Sequence, residues 1–145
     1  MHQRVSAISL NKPRLLACTV AFLAMTACAP EQPDNSVPCG AYSSEKSHVE
    51  VVAQGTVTRT FGIRAGRVSP HEGFLMRLNS SCSLIVRVEA NTDFTGPIPL
   101  RVGTTVAVKG EYEYYAGGGV IHWTHSDPRG RHQGGYILLD NRIYQ

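Results

Sequence analysis

The sequence predicts a small all-β protein, a closed or nearly closed antiparallel barrel of about five strands followed by a C-terminal hairpin. Three observations carry this prediction. Apolar residues recur at every second position in several stretches. The clearest is Thr104 to Tyr115, where Val106, Val108, Gly110, Tyr112 and Tyr114 share one parity and Lys109, Glu111 and Glu113 the other. No stretch beyond the leader repeats at the helical period. Glycines such as Gly55 fall inside strand-like runs, where a small curved sheet needs a bend.

Each element follows from local pattern. His48 to Phe61 reads as the first strand, with Val51, Ala53, Gly55, Val57, Arg59 and Phe61 on one face. Residues 62–73 hold three glycines and Pro70 and read as a loop. Phe74 to Asn79 is the second strand, and Asn79-Ser80-Ser81 its turn. Ser83 to Ala90 is the third, with Leu84, Val86, Val88 and Ala90 alternating against Arg87 and Glu89. Residues 91–103 carry two prolines and two glycines and are expected to hold no helix. The fourth strand, 104–115, turns at Gly117-Gly118-Gly119 into a fifth over 120–124. Asp127-Pro128-Arg129-Gly130 suits a type I turn, with Asp first, Pro second and Gly last. Residues 136–139 and 142–144 form a closing hairpin around Asp140-Asn141. The order of strands resembles an OB-fold, so the domain is expected to be OB-like, spanning residues 48–145.

The N-terminal part is of another kind. Arg4, Lys12 and Arg14 precede an apolar run, Leu15 to Ala27, that is shorter than the about 20 residues a permanent membrane helix needs. Residues 1–27 therefore read as a signal peptide. Met25-Thr26-Ala27-Cys28 resembles a bacterial lipobox, which makes Cys28 the expected lipidated N-terminus and the membrane a partner through that anchor. The alternative is cleavage after Ala29 and plain secretion. Either route gives an exported protein, periplasmic or tethered to the outer membrane. Residues 28–47, rich in Pro, Ser and acids, read as a flexible tether without a core of its own. With Cys18 in the leader and Cys28 lipidated, Cys39 and Cys82 remain in an oxidising compartment, and a Cys39–Cys82 disulfide is expected.

Charge narrows the partners. The formal charge of +3 comes from the leader: setting aside Arg4, Lys12 and Arg14 leaves eleven basic residues against eleven acids. A nucleic-acid groove draws its affinity from an excess of Lys and Arg, so nucleic acid is not an expected partner.

The chemistry is concentrated in Ile121 to His132, IHWTHSDPRGRH, which holds three of the six histidines and the single tryptophan. His122 and His125 lie three apart and would point to opposite faces of an unbroken strand. A fold-back at the proline turn brings His125, Asp127 and His132 together, with His122 or His71 joining. Two imidazoles and a carboxylate suit zinc or another divalent first-row metal. Trp123, Arg129 and Arg131 would then contact a small anionic ligand. The same residues also fit a general acid/base pair, or a structural network in which Asp127 serves the turn, Trp123 is core, and the arginines pair with Glu111 and Glu113. His71 lies in Pro70-His71-Glu72-Gly73, either a loop end above a binding face or a plain turn with a Glu72–Arg77 surface pair. Three functions follow: a tethered binding module for a metal or small anion; a metal-dependent hydrolase of phosphodiesters, with Arg131 on the phosphate; or an envelope interaction protein presenting Tyr112, Tyr114, Tyr115 and Trp123.

From Gly55 to Gln145 the chain resembles a family of small exported bacterial proteins classed as a domain of unknown function. The pieces that carry the resemblance are GTV (55–57), HEGF (71–74), GEYE (110–113), GGVIHWTHSDPRGRH (118–132), GGYI (134–137) and the terminal YQ. The resemblance implies an exported OB-like barrel and brings no activity with it. Family members carry a histidine where this chain has Ala90, before Asn91-Thr92-Asp93, and an acidic run that residues 62–70 lack.

Overall fold

The structure is a computed structural model that describes residues 30–145. The expected signal peptide, residues 1–27, and the expected lipid site Cys28 lie outside the described residues. Helix α1 (Ser36–Ser43) precedes strands β1 (Val49–Arg64), β2 (His71–Leu78) and β3 (Ile85–Asn91). Helix α2 (Thr92–Thr95) follows, then β4 (Thr105–Glu113), β5 (Val120–His122), β6 (Tyr136–Leu139) and β7 (Arg142–Tyr144). The protein is all-β in class.

The seven strands form one sheet in the order β1-β2-β3-β5-β4-β6-β7, and β1 also pairs with β4. Strands β1, β2, β3, β5 and β4 thus close into a ring, and the β6–β7 hairpin extends from β4. The ring is not wholly antiparallel as the sequence suggested. β3 and β5 run parallel, with Arg87 opposite Val120 and Val88 opposite Ile121. The reason is arithmetic: alternating directions cannot close around an odd number of strands, so one neighbour pair must be parallel.

The interior is the face that period-two alternation marked. Val86, Val88, Val106, Val108, Tyr112, Ile121 and Ile137 are fully buried with Phe74 and Met76. Burying side chains of this size contributes roughly 1.5–3 kcal/mol each. The Tyr112 hydroxyl donates to the Gly118 carbonyl, and burial pushes its pKa up to about 12. Tyr112 is therefore core, while Tyr114 packs on Tyr42 with ring centroids 5.7 Å apart, and Tyr115 and Trp123 remain exposed. Glu72 also points inward. Its Oε2 accepts the Ile98 N–H at 2.8 Å, which replaces the expected surface pair with Arg77.

Alternation fails where the ladder does. Irregularities between Val57 and Arg59 and between Thr60 and Gly62 reset the register of β1 against β2. A bulge adds a residue and switches faces beyond it. Arg59 and Phe61, expected to follow the core parity, consequently lie outside. There the guanidinium carbons of Arg59, Arg64 and Arg87 sit 5.0, 5.3 and 5.1 Å from the Phe61 ring centroid. The reset also lets β1 and β2 run on to pair Arg64 with His71, inside what reads as a loop.

Two segments are more ordered than expected. The tether contains α1, whose Pro38 and Ala41 are buried. Pro38 sits in the first turn, where a missing N–H costs no helical bond. The Asn35 amide donates to the Gln54 carbonyl at 2.8 Å and accepts the Gln54 N–H at 2.9 Å, fastening the helix start to β1. Cys39 and Cys82 form the disulfide, with Cα atoms 6.1 Å apart, and this ties α1 to the β2–β3 turn. After β3, α2 stands where no helix was expected. Asn91 caps it by accepting the Asp93 N–H at 3.0 Å, and Gly96 ends it at φ +65°.

Candidate functional site

The expected site residues divide into three neighbouring groups. The first is the turn. The predicted reversal is present, with the Gly130 N–H donating to the Asp127 carbonyl at 3.0 Å. The nearly buried Asp127 carboxylate accepts the Arg129 N–H at 2.9 Å, the His132 N–H at 3.0 Å, and the Arg131 N–H. Burial alone would raise this carboxyl, but the three backbone donors together hold it below the usual carboxylate range. Its oxygens serve the loop. His132 Nδ1–H donates to the Gln133 carbonyl at 2.6 Å, and Nε2 lies sealed from solvent, 3.7 Å from Asp127 Oδ2. The His132 ring stacks beneath Trp123 with centroids 4.4 Å apart. Arg129 lies beyond, beside Pro128 and Phe94, in a separate hollow.

The second group is a groove on the outer face of the β2–β3–β5 sector. Three adjoining compartments of about 490, 120 and 420 Å³ all include His71 in their walls. Arg64 and Glu89 stand at one end; Asp93, Phe94 and Arg131 stand at the other. His122 lines the first two compartments, and Trp123, His125 and Asn91 the last two. His71 Nδ1–H donates to the Ser69 carbonyl at 2.9 Å and His125 Nδ1–H to the Ser126 carbonyl at 2.7 Å. A neutral imidazole held this way keeps its lone pair on Nε2. His71 and His125 thus meet in this groove; His125 is also edge-on to His132, ring centroids 5.0 Å apart, and His132 is the residue that stands next to Asp127.

The third group surrounds His122. It lies opposite Glu111 in the β4–β5 ladder, on the outer face. Its Nε2 is 3.7 Å from Glu111 Oε1 and 3.8 Å from Glu113 Oε1. From the other side His48 Nδ1 approaches the same two oxygens, at 3.1 and 2.8 Å. Among the described residues, only His48, Glu111 and Glu113 bring ligand-type atoms from three side chains within 4.8 Å of one another. His122 Nε2 is solvent-sealed and has no hydrogen-bond partner. Glu50, paired with Glu111 across the β1–β4 ladder, adds a third carboxylate; burial and then Glu111 raise its pKa.

The two imidazoles shift in opposite directions. Hydrogen bonding to Glu111 and the nearby Glu113 raise His48 above its ordinary value. Burial lowers His122 against the pull of both glutamates. Position on the strands explains the cluster. Gly110 lets β5 approach closely, since a Cβ there would stand 2.3 Å from the His122 carbonyl oxygen. Sequence reasoning placed Glu111 and Glu113 on the outer face but did not connect them to His122 or His48. The signal was available: a short glycine hairpin between two strands sets residues such as Glu111 and His122 opposite one another.

Fold and site define a small all-β protein with a five-stranded ring, a polar groove on its outer face, and an imidazole–carboxylate cluster at the groove's edge. The chain belongs to the DUF3465 family, described as a protein of unknown function, whose model matches residues 20–145. No curated protein and no solved structure matches it.

Proposed function

We propose that the protein is an exported binding module, held at a membrane through a lipid on Cys28, that takes up a divalent transition metal on His48, Glu111, Glu113 and His122. The carrying observation is the convergence of two imidazole nitrogens on a shared pair of carboxylate oxygens, at 2.8–3.8 Å. Two nitrogens and two oxygens suit zinc or a neighbouring first-row ion. The metal would neutralise two adjacent carboxylates and give His122 Nε2 the partner it lacks. The leader and the Cys39–Cys82 disulfide support export. The metal set differs from the one the sequence suggested: His122 is kept, and His48, Glu111 and Glu113 take the places of His125, Asp127 and His132.

The test is calorimetric titration of the full chain with zinc, copper and nickel. One ion per chain is expected, with affinity reduced at least about tenfold, or about 1.4 kcal/mol, by Glu111→Gln plus Glu113→Gln. Absence of binding, or binding indifferent to both substitutions, overturns the assignment.

A further inference from the structure

We propose that the groove centred on His71 binds a linear, uncharged oligosaccharide. One wall of the groove is aromatic. Phe94 and Trp123 remain 45% and 40% exposed, and both line the same end of the groove. Between them stands His125, stacked on Phe94 at 4.2 Å with 4° between the planes and edge-on to Trp123 at 6.1 Å. Flat rings left in water are a platform for a ligand with an apolar face, and a pyranose ring presents such a face of C–H groups.

The backbone beneath that wall is strained. Trp123 adopts φ +55°, a left-handed conformation that bulky residues avoid. It is held there from below by the His132 stack, and the chain passes so close that a Cβ on Gly135 would lie 2.2 Å from the Trp123 carbonyl oxygen. The loop thus spends conformational strain on turning an indole outward, which a core tryptophan would not require.

A polar fringe borders the aromatic wall. The groove presents His71 and His125 in the tautomer that leaves Nε2 as acceptor, with Ser69 and Asn91 alongside. Such groups match hydroxyls, which both donate and accept. Formal charges along the groove balance: its walls hold Arg64 and Arg131 together with Glu89 and Asp93. That balance disfavours a polyanion, whose affinity needs an excess of cations, and favours a neutral ligand. Three compartments joined end to end accommodate a chain of sugar units better than a single one.

The only tryptophan in the sequence is the groove's own, so its emission reports the site directly. The full chain is titrated with chitotetraose, cellotetraose and maltotetraose, and with their disaccharides, in the presence of a chelator. Working without metal separates this proposal from the metal assignment: either can fail while the other stands. The expected result is a saturable emission change with at least one tetrasaccharide, at least about tenfold tighter than its disaccharide and insensitive to salt. Phe94→Ala should weaken binding about tenfold or more without changing thermal unfolding, and Trp123→Ala, followed by calorimetry, should weaken it by at least as much. No saturation by any of the three at millimolar concentration overturns the proposal. So does tighter, salt-sensitive binding of an oligothymidylate, or tighter binding of an acidic peptide.

Discussion

Replacing Cys39 and Cys82 together by serine isolates the contribution of one covalent link to the N-terminal segment. The two residues are separated by 43 positions. In the chain-entropy description, a closed loop of that length removes about 13 cal/mol/K from the unfolded ensemble, or about 4 kcal/mol at 25 °C. Small domains are stable by roughly 5–15 kcal/mol in all, so the variant should still fold but with a much reduced margin. The loss should also be local. α1 has only eight residues and cannot persist without docking. Without the bridge it is held by Asn35 and by burial of Pro38 and Ala41. Urea unfolding of the oxidised parent and the double serine variant measures the difference, and limited proteolysis within residues 34–47 reports undocking. A loss of about 3–4 kcal/mol with faster cleavage there is expected. A loss below about 1 kcal/mol, with unchanged cleavage, would refute the view that the bridge, rather than packing alone, holds the helix on the sheet.

Gly110→Ala should drive a Cβ against the His122 carbonyl oxygen, costing about 1–3 kcal/mol in urea unfolding and weakening zinc binding together; unchanged binding would separate β4–β5 spacing from the metal cluster. NMR titration of the imidazole protons should place His48 above and His122 below the ordinary histidine midpoint. Because the His48 shift is upward, its pairing with the ionised Glu111 and Glu113 is complete below the ordinary histidine midpoint and fades as pH rises through the raised folded-state midpoint. Zinc competes for the same nitrogen, so zinc affinity should climb over that same interval; a flat profile between pH 6 and about 8 counts against His48 as a ligand. Asp127→Ala should increase protease sensitivity across residues 126–133 by removing the acceptor of three N–H groups, while zinc affinity changes less than about twofold. A larger loss would return Asp127 to the metal set.

Much of this protein is readable one residue at a time, because period-two alternation and turn chemistry are local. Thr104 to Tyr115 declares its inner face through Val106, Val108 and Tyr112, and Asp127-Pro128-Arg129-Gly130 declares its turn. Asn91 and Gly96 mark both ends of a four-residue helix that the neighbouring prolines obscure. The fates of Arg59 and Phe61 are not readable, because a bulge is a property of two strands and switches faces without a trace in one of them. Nor is α1, whose buried residues are few and whose order depends on Cys82 and Gln54, distant in the chain.

The candidate site shows the same division. The stretch from Ile121 to His132 determines that imidazoles, an indole and a carboxylate lie close together, and the glycine hairpin determines that β5 returns along β4. Which of these side chains face one another depends on ladder register and on the αL turn at Trp123, both set by packing across the ring. Register sends His122 to Glu111 and Glu113, brings His48 in from the start of β1, and leaves His71 and His125 on the groove. Asp127, the carboxylate nearest in sequence, is satisfied by backbone N–H groups within five residues of itself. Local hydrogen bonds claim a polar group before distant partners can reach it, and strand pairing assembles the groups that remain.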